Sequence, residues 1–148
     1  MIPSNTGFIA IDGGAMCGLA VYAAKFASYE YPPSMTLKLL DEFLGLRRFN
    51  WIVAAERYDV SGKGRPMSAQ VDALETNGAA RWISAQWNAT FSLQGRAEAK
   101  RIMTNTTLRK IGWFKQTKDG HANDAARHLG FSVLTHFPEA YIQLLEGV

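Results

Sequence analysis

Phe8-Ile9-Ala10-Ile11-Asp12-Gly13-Gly14 sets the architecture of this chain. Its apolar run reads as a strand covered on both faces, and the two glycines read as the turn that follows. A carboxylate that ends such a strand is costly to bury unless a cation meets it, so Asp12 calls for a partner. Two more acids stand in matching places. Glu56 ends the next apolar run, Trp51-Ile52-Val53-Ala54-Ala55, and Asp124 lies in His121-Ala122-Asn123-Asp124 at the head of a predicted helix. Carboxylates far apart in sequence, each delivered by the end of an element, are the usual construction of a divalent-metal site.

Outward from residues 7–12, the turn leads to a second strand over Gly18 to Tyr22, which a tight turn makes antiparallel to the first. A short third strand near 26–30 is weakly signalled. Pro32-Pro33-Ser34 then stops the chain and is expected to cap a helix over about 35 to 47, with Leu37, Leu40 and Leu44 on one stripe. After strand 51–55, Ser61-Gly62-Lys63-Gly64-Arg65-Pro66 has the composition of a positively charged loop. A helix follows from about Ala69 to Trp87. Val71, Leu74, Gly78 and Trp82 share one face of it, and Ile83 and Trp87 widen the apolar surface enough for both the sheet and a partner subunit. A strand near 90–93, short helices around 96–111 and the loop Gln116–Gly120 lead to the last major helix, from His121 to before Pro138. Hairpin strands first, then strands alternating with helices, predict an α/β fold. Its mixed sheet of about five strands carries helices on both faces, in a single domain spanning 1–148.

Spacing tests the last helix. His121 and Asp124 are three residues apart and share a face within the first two turns, and His128 continues that stripe. Ala122, Ala125, Ala126, Leu129 and Val133 form the adjacent apolar stripe that should pack on the sheet. The helix N-terminus favours an ionised Asp124. His121 alone would read as an exposed terminal histidine; with Asp124 one turn away, ligation by a neutral imidazole is the stronger reading. His128 reads equally as a residue behind the ligands or as packing, and His136 carries no signal.

The formal net charge of +3 is modest, but it is unevenly spread. Arg96 to Lys118 holds seven basic residues against one acid, Glu98, and Arg57, Lys63 and Arg65 cluster just past Glu56. Basic clusters flanking acidic metal ligands suit a polyanion whose phosphate must reach the metal, which points to nucleic acid. Cys17 is alone, so no disulfide framework exists and a reducing compartment is expected. The first residues lack the pattern of a signal peptide, and no apolar stretch approaches a membrane span. A cytoplasmic location follows as the expectation.

Three patches resemble the RuvC-type Holliday junction resolvases of the RNase H-like superfamily: Ala10-Ile11-Asp12-Gly13-Gly14 with Cys17-Gly18-Leu19-Ala20, then Glu56 after a buried strand, then His121-Ala122-Asn123-Asp124-Ala125-Ala126. His-x-x-Asp-Ala heading a final helix after a basic segment is the most specific of them. The family turn usually has Pro after the aspartate; Gly13 stands there instead, which marks a divergent member and suggests a bacteriophage source, acting then in the host cytoplasm.

The resemblance implies an RNase H-like fold and a crossover-junction endodeoxyribonuclease that makes paired symmetric nicks in four-way DNA junctions. Asp12 would bridge two Mg²⁺ or Mn²⁺ ions, Glu56 would ligate one, and His121 and Asp124 would complete the set. Hydrolysis would leave a 5′-phosphate and a 3′-hydroxyl. Lys100 best matches the family's basic residue at the scissile phosphate, with Lys115 and Lys118 next. Arg57, Lys63, Arg65 and Arg101 extend the expected DNA contacts. Tyr58 stands near the family's wedge aromatic, although a loop-packing tyrosine is an equal reading. A homodimer is implied, which the 69–87 helix with Trp82 and Trp87 would join. Flaps and forks are alternative substrates for the same fold. Two other classes fit less well. An actin- or sugar-kinase-like ATPase needs two lobes with repeated phosphate loops, and a non-catalytic DNA-binding module would not need the full ligand set.

Overall fold

Alternation along β1 (Thr6–Asp12) sends its side chains into two separate cores. Phe8 and Ala10 face one side of the sheet, and Ile9 and Ile11 the other, all four fully buried. The computed structural model describes residues 1–58 and 67–147, side chains at 67–69 excepted. β2 (Cys17–Ala23) and β3 (Lys25–Tyr31) join β1 as an antiparallel meander, while β4 (Asn50–Glu56) and β5 (Thr90–Gln94) add in parallel on its other edge. The resulting order is β3-β2-β1-β4-β5. This is the mixed five-stranded α/β sheet that the sequence predicts.

Helices cover both faces. α1 (Pro33–Leu44) and α2 (Met67–Gln86) close over Ile9, Ile11, Leu19 and Val53, with Leu40, Leu44 and Ala80 as their buried contributions. α5 (His121–His136) lies across the opposite face, where Ala122, Ala125, Ala126, Leu129 and Val133 are fully buried as their stripe predicts. α3 (Arg96–Ile102), α4 (Asn105–Lys110) and α6 (Pro138–Glu146) complete that layer through Met103, Leu108 and Tyr141.

Some expectations need correction. α1 begins at Pro33, with Pro32 at the cap position and no side-chain capping bond, so Ser34 lies inside the helix; it ends at Leu44 rather than near 47. Proline at the first helical position has no amide to waste and a suitable φ. The same chemistry makes Pro138 the start of α6, where the sequence reads only as a stop. On α2, Val71, Leu74 and Trp82 do face away from the sheet, exposed by 42%, 43% and 65%. Trp87 instead packs within the molecule, its indole donating to Asp41 Oδ1 at 2.7 Å. The loop 61–66, with Lys63 and Arg65, lies outside the described residues.

Candidate active site

Asp12 shares the α5 face with Phe8 and Ala10, because alternate strand residues point the same way. β1 and β4 run in parallel with Ile11 opposite Ala55, so Asp12 and Glu56 end neighbouring strands side by side. Both are almost wholly buried, at 4% and 3% exposure. Burial pushes the Asp12 carboxyl up to about 6; the hydrogen bond from His121 opposes this, and the charges of Glu56 and Asp124 add to it. Burial also lifts Glu56, but the bond and charge of His128, together with Arg96, outweigh it and hold that carboxyl below its ordinary value. Two adjacent buried acids thus respond oppositely, because His128 and Arg96 serve Glu56 while burial dominates at Asp12.

The head of α5 supplies the third side of the site. His121 Nδ1 lies 3.0 Å from Asp12 Oδ2, and that bond, ahead of the opposing effect of burial, raises the imidazole above its usual range. His128, two turns along the same stripe, places Nε2 3.3 Å from Glu56 Oε2 and Nδ1 3.1 Å from Gln94 Oε1. The helix reaches this depth because Gly18, paired with Asp12 on β2, has no side chain. A Cβ there would stand 1.9 Å from the carbonyl oxygen of His121. Glu30 on β3 secures the same end, accepting the Ala122 amide at 2.9 Å. Burial raises Glu30, but that bond, with Thr117 and His121 nearby, brings it below its ordinary value.

Cations close the open side. Arg96 reaches two acids, with Nε 4.0 Å from Glu56 Oε1 and a terminal nitrogen 3.9 Å from Asp124 Oδ2. Lys100 Nζ stands 3.9 Å from Asp124 Oδ1, and Arg127 pairs with the same oxygen while donating to the Met103 carbonyl at 3.1 Å. Tyr58 donates to the Gly13 carbonyl at 3.2 Å, which ties the tyrosine to the turn after Asp12. Its hydroxyl is pushed up to about 12 by burial and by the nearby charges of Asp12 and Glu56.

Asp12, Glu56, His121, Asp124 and Lys100 therefore meet at one end of the sheet. Arg57, Arg101 and Lys118 are exposed. Lys115 reaches away to β3, where its Nζ donates to the Ser28 carbonyl at 2.9 Å. The sequence reading missed Arg96, Arg127, Gln94 and Glu30 as parts of the site. Arg96 had a visible signal in its place at the head of the basic segment.

The donor set suits a hard divalent cation: three carboxylates and one imidazole gather where burial holds one acid near a pKa of 6 for want of positive charge. Among the described residues, no three such groups already surround a single cation-sized point. Asp124 is drawn instead toward Arg96, Lys100 and Arg127, so a cation would have to compete with them. The fit lies in charge and donor chemistry.

No protein-family model and no curated protein sequence matches the chain. Solved structures do. Thermus thermophilus RuvC in complex with Holliday junction substrate superposes with a TM-score of 0.61 at 16% identity, covering 94% of this chain and 97% of that one. A second structure of T. thermophilus RuvC gives 0.57 at 16% identity, covering 94% and 98%. Along nearly its whole length, the chain has the RuvC variety of the RNase H-like fold.

Proposed function

We propose that this chain is a Mg²⁺- or Mn²⁺-dependent endodeoxyribonuclease that resolves four-way DNA junctions by paired symmetric nicks. The observation that carries the reading is the meeting of Asp12, Glu56, Asp124 and His121 at one end of a RuvC-like fold, with Lys100 and Arg96 on the open side. Its T. thermophilus counterpart was solved with a Holliday junction substrate.

Asp12, Glu56, His121 and Asp124 would hold the metal ions, two per site. Divalent ions supply a water of lowered pKa and charge stabilisation at the leaving 3′-oxygen. The chain's own cations do the rest. Lys100 and Arg96 now neutralise Asp124 and Glu56; with a phosphodiester in the cleft they would turn to its oxygens and stabilise the charge that grows there. Arg57, Arg101 and Lys118, exposed around the site, would track the backbone of the junction arms. Tyr58, held at the Gly13 turn, would sit where it can press against an unstacked base step. Paired cuts need two sites, and the outward stripe Val71, Leu74 and Trp82 on α2 is the surface we assign to a homodimer.

The test is the cleavage pattern on four-way junction, flap, fork and linear duplex DNA in one Mg²⁺ or Mn²⁺ buffer. Symmetric nicks on opposite strands of the junction are expected. Single nicks at a flap base would make it a flap or fork endonuclease of the same fold, and metal-independent binding without cleavage would leave a DNA-binding module.

A further inference from the structure

We infer that Gln94 and His128 are a positioning pair that fixes which oxygen of Glu56 is offered to a divalent cation, an inference that rests on the metal-site reading above. His128 is 1% exposed, so it cannot touch DNA, and it lies beside the fully buried apolar stripe of Ala122, Ala125, Ala126, Leu129 and Val133. An imidazole in such a place costs free energy unless its nitrogens are satisfied. Both are, and by residues at the ends of adjacent strands: Glu56 Oε2 at 3.3 Å and Gln94 Oε1 at 3.1 Å. An ionised carboxylate only accepts, so Nε2 carries the proton donated to Glu56; Nδ1 then accepts, and the Gln94 side chain serves it with its amide turned so that the NH2 takes the place of Oε1.

Register builds this pair. Glu56 and Gln94 are opposite partners in the parallel β4–β5 ladder, and Gln94 is held further by its carbonyl, which accepts the Arg57 amide at 2.8 Å. The Glu56 backbone is fixed on its other side by Asn77, whose amide donates to the Glu56 carbonyl at 2.8 Å. With main chain and Oε2 both held, Glu56 has one oxygen left, Oε1, and this one faces Arg96 and the open side of the cleft. A ligand oriented in this way binds its ion more tightly, because no rotamer freedom is lost on binding. Partners behind a metal ligand are commonly worth 10- to 100-fold in affinity. Simple packing predicts no such coupling to the cation.

The experiment is direct titration of Mn²⁺ without DNA, by the electron paramagnetic resonance signal of the free ion, on wild type, Asp12→Asn, His128→Leu, Gln94→Leu and His128→Gln. Glutamine can place its amide donor near the position of Nε2. The inference expects His128→Leu and Gln94→Leu to weaken Mn²⁺ binding by about 10-fold or more, and His128→Gln to stay close to wild type. Thermal unfolding in EDTA reports folding separately. Should His128→Leu not fold, Gln94→Leu decides the matter. Unchanged Mn²⁺ affinity in the folded leucine variants would overturn the pair while leaving the metal site standing, and so would a His128→Gln protein as weak as His128→Leu. Wild-type binding no stronger than that of Asp12→Asn would overturn the metal reading, and this inference with it.

Discussion

Asp12→Asn should make the metal-free protein more stable while abolishing cleavage. Asp12 has an ordinary carboxyl pKa of 3.8 when unfolded and about 6 when folded, with burial the leading cause and Glu56 and Asp124 adding to it. The sign follows from linkage: the folded state holds this proton more tightly. Below the unfolded value there is no penalty; it grows as pH rises through the interval and is complete above about 6. The difference is worth about 3 kcal/mol at neutral pH, from roughly 1.4 kcal/mol per pH unit. Asparagine keeps an acceptor for His121 and sheds the charge, so a gain of about 1–3 kcal/mol is expected in EDTA at pH 7.5. For a chain of this length that raises the melting temperature by a few degrees or more. The assay is thermal unfolding of both proteins at pH 7.5 and near pH 4, with EDTA and then with excess Mg²⁺ or Mn²⁺. The variant should melt higher at pH 7.5 and lose its advantage near pH 4. Added metal should raise wild type only. A variant that melts below wild type at pH 7.5 would refute the claim that this carboxylate is held against an electrostatic penalty.

Other perturbations probe separate parts of the site. Asp124→Asn should abolish cleavage but keep junction binding in EDTA, measured by gel shift, because the exposed cations remain. His121→Asp should retain much of the cleavage rate and His121→Ala far less, with the gap narrowing as Mn²⁺ is raised; equal rates at low metal would remove His121 from the ligand set. Gly18→Ala places a methyl group against the His121 carbonyl and should displace the head of α5 by about 1 Å. A shift of that size can cost on the order of 100-fold in single-turnover cleavage, and a rate within a few-fold of wild type would show that α5 yields at no cost. Lys100→Ala and Lys118→Ala should each weaken junction binding and reduce the log–log salt slope by about one, and Lys115→Ala should leave the slope unchanged because its Nζ is held by the Ser28 carbonyl. Only Lys100→Ala should also slow cleavage at saturating DNA, since Lys115 reaches toward Ser28 and away from Asp124.

The parts of the fold legible in the sequence are those written in one strand or one helix. Alternation and burial placed Asp12 and Glu56 at strand ends, and three-residue spacing placed His121 beside Asp124. Weak local chemistry hid other parts. The β2–β3 turn is made by Ala24 at φ 71, with none of the Gly or Asn that announces a hairpin, so β3 left only a faint trace. Pro138 could end one helix or begin another, and its own sequence does not separate the two.

What stayed invisible depends on register between elements. Gln94 is an unremarkable glutamine until β5 sets it opposite Glu56, and His128 reads equally as packing or as a residue behind the ligands until α5 lies across both. Glu30 sits on a half-buried edge strand, yet it reaches the first turn of a helix more than ninety residues later. Arg96 was counted as part of a basic segment, whereas its guanidinium reaches two of the acids at once. These residues share a physical role: each holds or neutralises a carboxylate or a helix end that local sequence had already marked. A buried acid therefore announces itself in one dimension through the cost of its charge. The groups that meet that cost become legible only when the strands are paired.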